Sequence, residues 1–277
     1  MKLSEVKNKT KIKMSPLFTL ERKQNLKTLI AFTVISALML FLVVAMFPFL
    51  DDAMAQMQEM FKDNKEILNI LTVAMGTQNI TTYFVAQVAQ SWALVGAVYG
   101  AYLGYKLICG NFKDGSYEML YSQNLSRIQI LKQKFIRLIV NLLIFSLVNA
   151  VVGLVALLIW GYGQFSVLNY ILYALIITLM TLQVGVFSFA IASICHKKYS
   201  AITSILLVVA LYFVITFALS VESLEFLKCL TPFSVAYVDV FNSTMQAFDV
   251  VSLVVWTIVP VALTFVGVKR FKNTDLV

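Results

Sequence analysis

The stretch of sequence that decides the fold is residues 110–134, which read GNFKDGSYEMLYSQNLSRIQILKQK. This stretch is polar and rich in helix-forming residues, and a long apolar run lies on either side of it. A membrane-spanning helix needs about 20 predominantly apolar residues, and both runs are that long. The polar stretch must therefore stand in water at one face of a membrane, where a soluble partner can dock on it.

The composition also indicates a membrane protein. The chain has 277 residues, of which 60% are hydrophobic and 13% are charged. A soluble domain has roughly 45–50% apolar and about 25% charged residues. The formal net charge of +8 could suggest a nucleic-acid partner, but the charged residues lie between the apolar runs. We therefore expect contact with membrane lipid and no nucleic-acid partner.

Six apolar runs predict an all-α integral membrane protein with six transmembrane helices, and we treat residues 1–277 as one transmembrane domain. The runs cover approximately residues 28–50, 83–105, 138–160, 168–195, 200–220 and 249–268. The main segments between and before them are a tail at 1–27, a polar segment at 106–137 and two longer loops at 51–82 and 221–248.

The positive charges predict the orientation of these spans. With the N-terminus inside, the inner segments carry 19 of the 22 Lys and Arg residues, and the outer segments carry three. Cytoplasmic loops of membrane proteins carry such an excess of positive charge. We therefore expect a multi-pass protein of the plasma membrane, of bacterial origin, with both termini and segment 106–137 in the cytoplasm.

Two further helical features are predicted at the membrane surfaces. Ser15 followed by Pro16 is a typical helix start, which predicts a short "elbow" helix lying along the inner surface before the first span. The outer loop 221–248 is unusually apolar for a solvated loop. Because Pro232 interrupts this loop, it should form broken re-entrant helices that dip into the outer edge of the membrane.

The apolar runs lack the residues that membrane chemistry requires. Apart from Asp249 at a boundary, none of them contains Asp, Glu, Lys, Arg or His. Proton relays and intramembrane catalytic sites normally need such a residue, which argues against a membrane enzyme. The chain also has no metal-ligand spacing and no GxxxxGK[ST] phosphate loop. We therefore expect no metal or cofactor on this chain, and any energy must come from a partner.

Neutral polar residues within the runs have two possible roles. They are Gln87, Gln90, Asn141, Asn149 and Gln183. One interpretation is hydrogen bonding between neighbouring helices. The other is the lining of a pathway for an amphipathic cargo, to which Asn141 and Asn149 would contribute from nearly one face of a helix, since they lie eight residues apart.

Three glycines mark a face of the second span. Gly96, Gly100 and Gly104 are spaced four residues apart, which places them on one side of a helix. A face of small residues lets a neighbouring helix approach closely. Close packing is the favoured interpretation, and a contact that slides during transport is the alternative.

The polar stretch itself predicts a helix–break–helix finger. Gly115 breaks the chain after the second span, and Ser116 could cap a short helix with Glu118 near its positive end. Ser126 would then cap a second helix that leads into the third span, with Arg127 in its first turn. The simpler alternative is a basic inner loop with no further role.

The order of residues in this finger resembles the signature of ABC transporter type-2 permeases. The matching positions are Gly115, Ser116, Glu118, Leu120, Ser122, Leu125, Ser126, Arg127 and Lys134. The family usually has Pro where this chain has Asn124, and an acidic run where it has residues 112–114. The elbow PLFTLERK, the outer LTPFS and the terminal FKNTDL resemble the family as well.

The resemblance implies a membrane permease subunit of an ABC exporter. Two such permeases, a second copy or a sister chain, would pair, and each would sit on a cytoplasmic ABC ATPase that binds ATP and Mg²⁺. The finger would be the coupling helix that fits a groove in the ATPase and drives export of an amphipathic or apolar cargo. The alternative is a non-transporting membrane anchor or sensor that recruits a cytoplasmic protein through the same finger.

Overall fold

A computed structural model describes residues 16–50, 79–110, 126–195, 199–220, 222–241 and 245–273. Within these ranges the regular structure is helical, without strands. Six of the helices are long and apolar enough to cross a membrane. The predicted all-α fold with six spans is therefore confirmed, and the chain is a multi-pass membrane protein.

Five of the six long helices are longer than the apolar runs that predicted them, and α5 matches its run to within one residue. They are α1 (Pro16–Ala45), α2 (Ile80–Gly110), α3 (Arg127–Trp160), α4 (Val167–Cys195), α5 (Ala201–Ser220) and α6 (Ala247–Asn273). With a rise of 1.5 Å per residue, the 34 residues of α3 extend about 50 Å, whereas the hydrocarbon core of a bilayer is about 30 Å thick. The helix therefore continues well beyond the membrane core into the polar segment 106–137.

The first helix differs from the sequence prediction. It runs without a break from Pro16 to Ala45, so the predicted elbow is not a separate helix. The reason is local: no Gly or Pro follows Pro16 within this stretch, and nothing interrupts the backbone hydrogen-bond ladder. Whether its first turns lie along the membrane surface stays a prediction.

The second helix contains two π-helical turns. They occupy Ala89–Ala93 and Lys106–Gly110, and the regular helix Leu94–Tyr105 lies between them. Such turns are uncommon and occur frequently at functional sites, because each inserts one extra residue and widens the helix. The second π turn is also where α2 ends, immediately before residues 111–125.

The bundle is organised around α2 and α4, which are the most buried of the spans. On one side α4 packs against α2 and on the other against α6, while α1 lies along α3. Most of the surface of α5 and α6 is exposed and apolar, as in Ile202 and Phe265. Such faces are typical of helices in contact with lipid.

The spans α2 and α4 approach each other closely at the predicted glycine face. A Cβ atom on Gly100 would lie 3.1 Å from the carbonyl oxygen of Thr181 and 3.2 Å from the nitrogen of Gly185. A Cβ atom on Gly104 would lie only 2.7 Å from the nitrogen of Phe189. On Gly96 it would meet side chains of Thr181 and Phe145, each at 3.0 Å. Gly100 and Gly104 therefore allow backbone-to-backbone packing, and Gly96 leaves room for side chains of the neighbouring helices.

The segment between α5 and α6 forms two 3₁₀ helices, Glu222–Leu230 and Pro232–Tyr237. The break between them falls at Thr231, next to the proline that predicted it. The Thr231 hydroxyl accepts a hydrogen bond from the nitrogen of Phe233 at 3.3 Å and donates one to the carbonyl oxygen of Leu211 at 3.0 Å. The two helices are thus anchored to α5, and their entry into the membrane stays a prediction.

Candidate functional site

The candidate site is the pair of helix ends that flank residues 111–125. Five of the predicted coupling residues lie outside the described part of the chain: Gly115, Ser116, Glu118, Leu120 and Ser122. The structure does place the last turn of α2 and the start of α3, including Ser126, Arg127 and Lys134.

Ser126 fixes the start of α3. Its Oγ accepts a hydrogen bond from the nitrogen of Gln129 at 3.3 Å, and the Gln129 Oε1 accepts one from the nitrogen of Ser126 at 2.9 Å. This reciprocal pair is a capping box, which satisfies two backbone donors at once. The predicted cap at Ser126 is present. The S-x-x-Q spacing is the sequence signal for Gln129 as the second residue of the capping box. The start of α3 is therefore fixed at Ser126.

Lys134 ties the start of α3 to the end of α2. Its ammonium donates a hydrogen bond to the carbonyl oxygen of Leu107, and its side chain is only 3% exposed. The last carbonyls of a helix have no partner within that helix, and a cation there also interacts favourably with the helix dipole. The sequence had placed Lys134 in a water-facing segment, whereas the structure gives it an internal partner.

A second lysine, Lys106, lies in the same turn of α2 and attaches this turn to α1. The Lys106 ammonium donates a hydrogen bond to the Thr28 Oγ1 at 3.1 Å and lies 5.8 Å from the centre of the Tyr102 ring. A cation at this distance over an aromatic face is attracted to it. The end of α2 is therefore held by lysine contacts to both α1 and α3.

The fourth helix completes the attachment of this end. The Ser188 Oγ donates a hydrogen bond to the carbonyl oxygen of Ala101 at 2.6 Å and lies 3.2 Å from the Tyr199 hydroxyl. Burial raises the pKa of Tyr199, so this hydroxyl stays protonated at neutral pH. The Cys109 Sγ lies 3.8 Å from the carbonyl oxygen of Ala192, also on α4. The end of α2 is thus joined to three neighbouring helices.

Arg137 places a second buried cation on the same face of α3, one turn beyond Lys134. Its side chain is 4% exposed. The sequence had left residue 137 outside the third span, in the polar segment, so this burial was not expected. The reason is that α3 already packs against its neighbours at this level, which no charge pattern along the chain could reveal.

Gln183 is a helix contact. Its Nε2 donates to the carbonyl oxygen of Leu253 at 3.1 Å and to the Thr257 Oγ1 at 2.9 Å. These bonds join α4 to α6. Of the two interpretations left open by the sequence, the geometry at Gln183 therefore favours hydrogen bonding between helices.

Asn141 and Asn149 lie on the buried face of α3. The Asn149 Nδ2 donates to the carbonyl oxygen of Phe145 in its own helix at 2.9 Å, while its Oδ1 has no hydrogen-bond partner among the described residues. Neither the Oδ1 nor the Nδ2 of Asn141 has a hydrogen-bond partner among the described residues. The structure does not bring these residues to Gln183, which faces α6.

The remaining two predicted polar residues lie at the first π turn of α2. The backbone carbonyl oxygen of Gln87 accepts a hydrogen bond from the Ser91 Oγ at 2.8 Å. Gln90 belongs to the π turn itself. Near them is Trp92, which sequence reasoning missed. Its indole is fully buried, and the Nε1 has no hydrogen-bond partner among the residues described.

Unpartnered polar atoms therefore recur on the inward faces of three helices. Within the described ranges they include atoms of Thr33 and Ser36 on α1, Trp92 and Tyr99 on α2, and Asn141, Ser146 and Asn149 on α3. A buried polar group left without a partner costs about 1–3 kcal/mol. Their only sequence signal was a polar atom in an otherwise aliphatic run.

Comparison with protein families identifies the type of bundle. A family model described as ABC-2 family transporter protein matches residues 23–276. The chain belongs to the ABC-2 transporter family. This confirms the resemblance seen in residues 110–134. A comparison with curated proteins gives no significant match.

Membership in the family has direct consequences for this chain. Permeases of the ABC-2 family are membrane subunits of ABC transporters and are not the ATPase. They generally work with a cytoplasmic ABC ATPase. The helix ends around residues 111–125 are therefore the ends of two spans in a permease subunit.

Proposed function

We propose that this ABC-2 permease exports an amphipathic or apolar cargo with energy from a separate cytoplasmic ABC ATPase. Segment 106–137 is the cytoplasmic coupling segment that docks on the ATPase, and both chain termini lie on the same side. ATP and Mg²⁺ bind to the ATPase and not to this chain. The permease works as a pair with a second copy or a sister chain.

The observation that carries this proposal is the joining of α2 and α3 at their paired ends. The bond from Lys134 to Leu107 links the two helices that receive any force applied to residues 111–125. A push on this segment therefore acts on both spans together. Because rigid, packed elements carry coupling between distant sites, the force reaches the whole length of both helices.

The glycine face supplies the next step. The backbones of α2 and α4 touch around Gly100 and Gly185, and Gln183 joins α4 to α6. Movement of α2 consequently acts on α4 directly, with no flexible side chain between the two backbones. From the paired ends of α2 and α3 to α6, the path consists of described contacts.

The inward polar atoms support a pathway for an amphipathic cargo. Asn141 and Trp92 lie inside the bundle with unsatisfied groups, so a change in helix positions that opens this region offers hydrogen-bond partners to a cargo. Aromatic rings also pack inside the bundle, including the Tyr99–Phe145 pair with ring centres 5.3 Å apart. Neutral donors and acceptors among aromatic rings suit a molecule with both polar and apolar parts.

The proposal is tested by reconstitution. The permease is purified from its own membranes in mild detergent with the ABC ATPase that accompanies it, and the complex is placed in lipid vesicles. We expect ATP hydrolysis that depends on the permease, together with ATP-driven movement of a fluorescent amphiphile. Binding of the ATPase without any such movement across a panel of amphiphiles would favour the membrane anchor or sensor.

A further inference from the structure

A small polar cavity of about 200 Å³ lies where α5 ends and α6 begins. Its walls come from both 3₁₀ helices and from the two spans they connect. The polar residues that matter to its chemistry are Lys228, Ser234, Asp239, Gln246 and Asp249. None of them belongs to the coupling segment or to the inward face of α3.

The cavity lies at the level where the spans meet water. Leu219, in its wall, is the last residue of the apolar span Ala201–Leu219. Asp249, on the other wall, lies in the first turn of α6. This is the level of lipid headgroups, because the hydrocarbon core ends where the apolar helices do. A ligand here can keep an apolar tail in the bilayer.

The walls are acidic. The charged groups that line it are the carboxylates of Asp239 and Asp249 and the ammonium of Lys228. That ammonium lies 2.9 Å from the Glu225 Oε1 and 3.3 Å from the Gln246 Oε1. The lining itself therefore carries two carboxylates against one ammonium, which also pairs with Glu225 outside the lining.

Both aspartates are held in place by the backbone. The Asp249 Oδ2 accepts a hydrogen bond from the nitrogen of Gln246 at 3.3 Å, and its residue is only 5% exposed. The Asp239 Oδ1 accepts one from the nitrogen of Phe241 at 3.1 Å, and its Oδ2 accepts one from the Thr82 hydroxyl at 3.3 Å. The two carboxylates in the lining therefore have fixed positions, and each favours a cation beside it.

Ser234 supplies the second, independent observation. It lines the cavity, it is 2% exposed, and its Oγ has no hydrogen-bond partner in the described part of the chain. A buried hydroxyl without a partner is costly. Its lone pairs, with those of the two carboxylates, form a set of acceptors that matches a group with several N–H donors and a positive charge.

A primary ammonium group has these properties. It carries three N–H donors and one positive charge, and it is small. A drug-sized ligand needs a pocket of about 300–1,000 Å³, so a cavity of about 200 Å³ admits only the polar end of a larger molecule. Among the described residues no group of three His, Cys, Asp or Glu side chains could hold a metal ion.

We propose that this cavity binds the primary ammonium group of an amphipathic molecule whose apolar part stays in the bilayer. The ammonium lies between Asp239 and Asp249 and donates a hydrogen bond to Ser234. Two kinds of molecule carry this chemistry, namely an ethanolamine lipid and a single-chain amphiphilic amine. The inference rests on the cavity alone and does not depend on export.

Binding to the purified full chain in detergent tests the inference. The probes are dihexanoyl phosphatidylethanolamine and dodecylamine, and binding is measured by isothermal titration calorimetry. Dihexanoyl phosphatidylcholine and dodecyltrimethylammonium serve as matched controls, because they keep the tail and the charge but have no N–H donor. Each titration is repeated with Asp249→Asn, which keeps an acceptor for the nitrogen of Gln246, and with Ser234→Ala.

We expect at least one primary amine to bind the wild type at least about tenfold more tightly than its trimethylated control. The affinity of that amine should fall by a similar factor in Asp249→Asn and by a smaller factor in Ser234→Ala. Lys228→Met should bind more tightly, because it removes the only described positive charge at the wall. Ser166→Ala, an exposed serine between α3 and α4, should bind as the wild type does.

The two sources separate by which probe binds. Binding of the ethanolamine lipid assigns the cavity to a membrane lipid, and binding of dodecylamine alone assigns it to a free amphiphilic amine. Equal binding of the primary and trimethylated probes, or unchanged binding in Asp249→Asn with an unchanged melting temperature, would overturn the inference. No ATPase is present in these titrations, so their outcome is separate from that of the transport experiment.

Discussion

The Lys134 ammonium, on α3, is hydrogen-bonded to the Leu107 carbonyl oxygen in the last turn of α2. This contact joins the two helices that enter and leave residues 111–125. It gives a carbonyl in the last described turn of α2 a charged donor, and Lys134 is buried from solvent. Among the contacts that hold the end of α2, this one links it to α3, so the response of the helix pair to a docked ATPase should depend on Lys134.

Replacing Lys134 with Met should weaken both properties. Met keeps most of the aliphatic stem but leaves the Leu107 carbonyl without its charged donor, which should cost about 1.5–3 kcal/mol of stability. Thermal unfolding in detergent measures this loss, and ATP hydrolysis of the reconstituted complex measures the loss of coupling. Lys132→Met is the matched control, since Lys132 is exposed on the same helix. Equal melting temperatures for the two variants would contradict the role given to Lys134.

A methyl group at Gly104 should separate α2 from α4. The new Cβ would lie 2.7 Å from the nitrogen of Phe189 and 2.8 Å from the carbonyl oxygen of Gly185, and backbone atoms cannot move aside cheaply. We expect Gly104→Ala to destabilise the protein by about 1–3 kcal/mol, as overpacking does. In Gly110→Ala the nearest atom is the Cγ of the flexible Lys106 side chain at 3.3 Å, so a near-neutral melting temperature is expected. The reverse order of the two variants would show that the glycine face is not a close contact.

Asn141 and Gln183 should respond in opposite ways to replacement by Leu. Gln183→Leu removes the bonds to Leu253 and Thr257 and should lower stability by about 1 kcal/mol. Asn141→Leu removes a buried amide that has no partner among the described residues, so stability should be unchanged or higher. Transport should nevertheless fall in Asn141→Leu if the amide serves a cargo. Retained transport with lowered stability in that variant would assign Asn141 to helix packing instead.

The start of α3 should depend on the Ser126 cap. Ser126→Ala removes the acceptor for the nitrogen of Gln129 and should cost about 1 kcal/mol, while Ser126→Asp keeps an acceptor and should retain most of the stability. Hydrogen exchange of the amides in the first turn of α3 measures the effect locally. Equal protection in both variants would mean that tertiary packing alone holds this turn.

The sequence was sufficient for the parts of the fold that depend on local patterns. Six apolar runs predicted six spans, the serine at residue 126 predicted a helix start, and Pro232 predicted the break between the two 3₁₀ helices. Each of these follows from the residues next to one another in the chain. The glycine spacing also indicated which face of α2 a neighbour could approach closely.

Features that depend on distant neighbours could not be predicted. The charge of Lys134 suggested a water-facing position, because nothing along the chain shows that the carbonyl of Leu107 lies within reach. Gln183 gave no sign of which helix it bonds. The start at Pro16 was readable, but helix continuity through to Ala45 was not, since a surface helix and a span have the same local signals.

The most direct test of the central claim is ATP hydrolysis by the reconstituted complex that carries Glu118→Lys or Arg127→Glu. If residues 111–125 and the first turn of α3 receive the ATPase, either charge reversal should reduce permease-dependent ATP hydrolysis by about tenfold or more, while insertion and melting temperature stay those of the wild type. Wild-type ATP hydrolysis and transport in both variants would contradict the account.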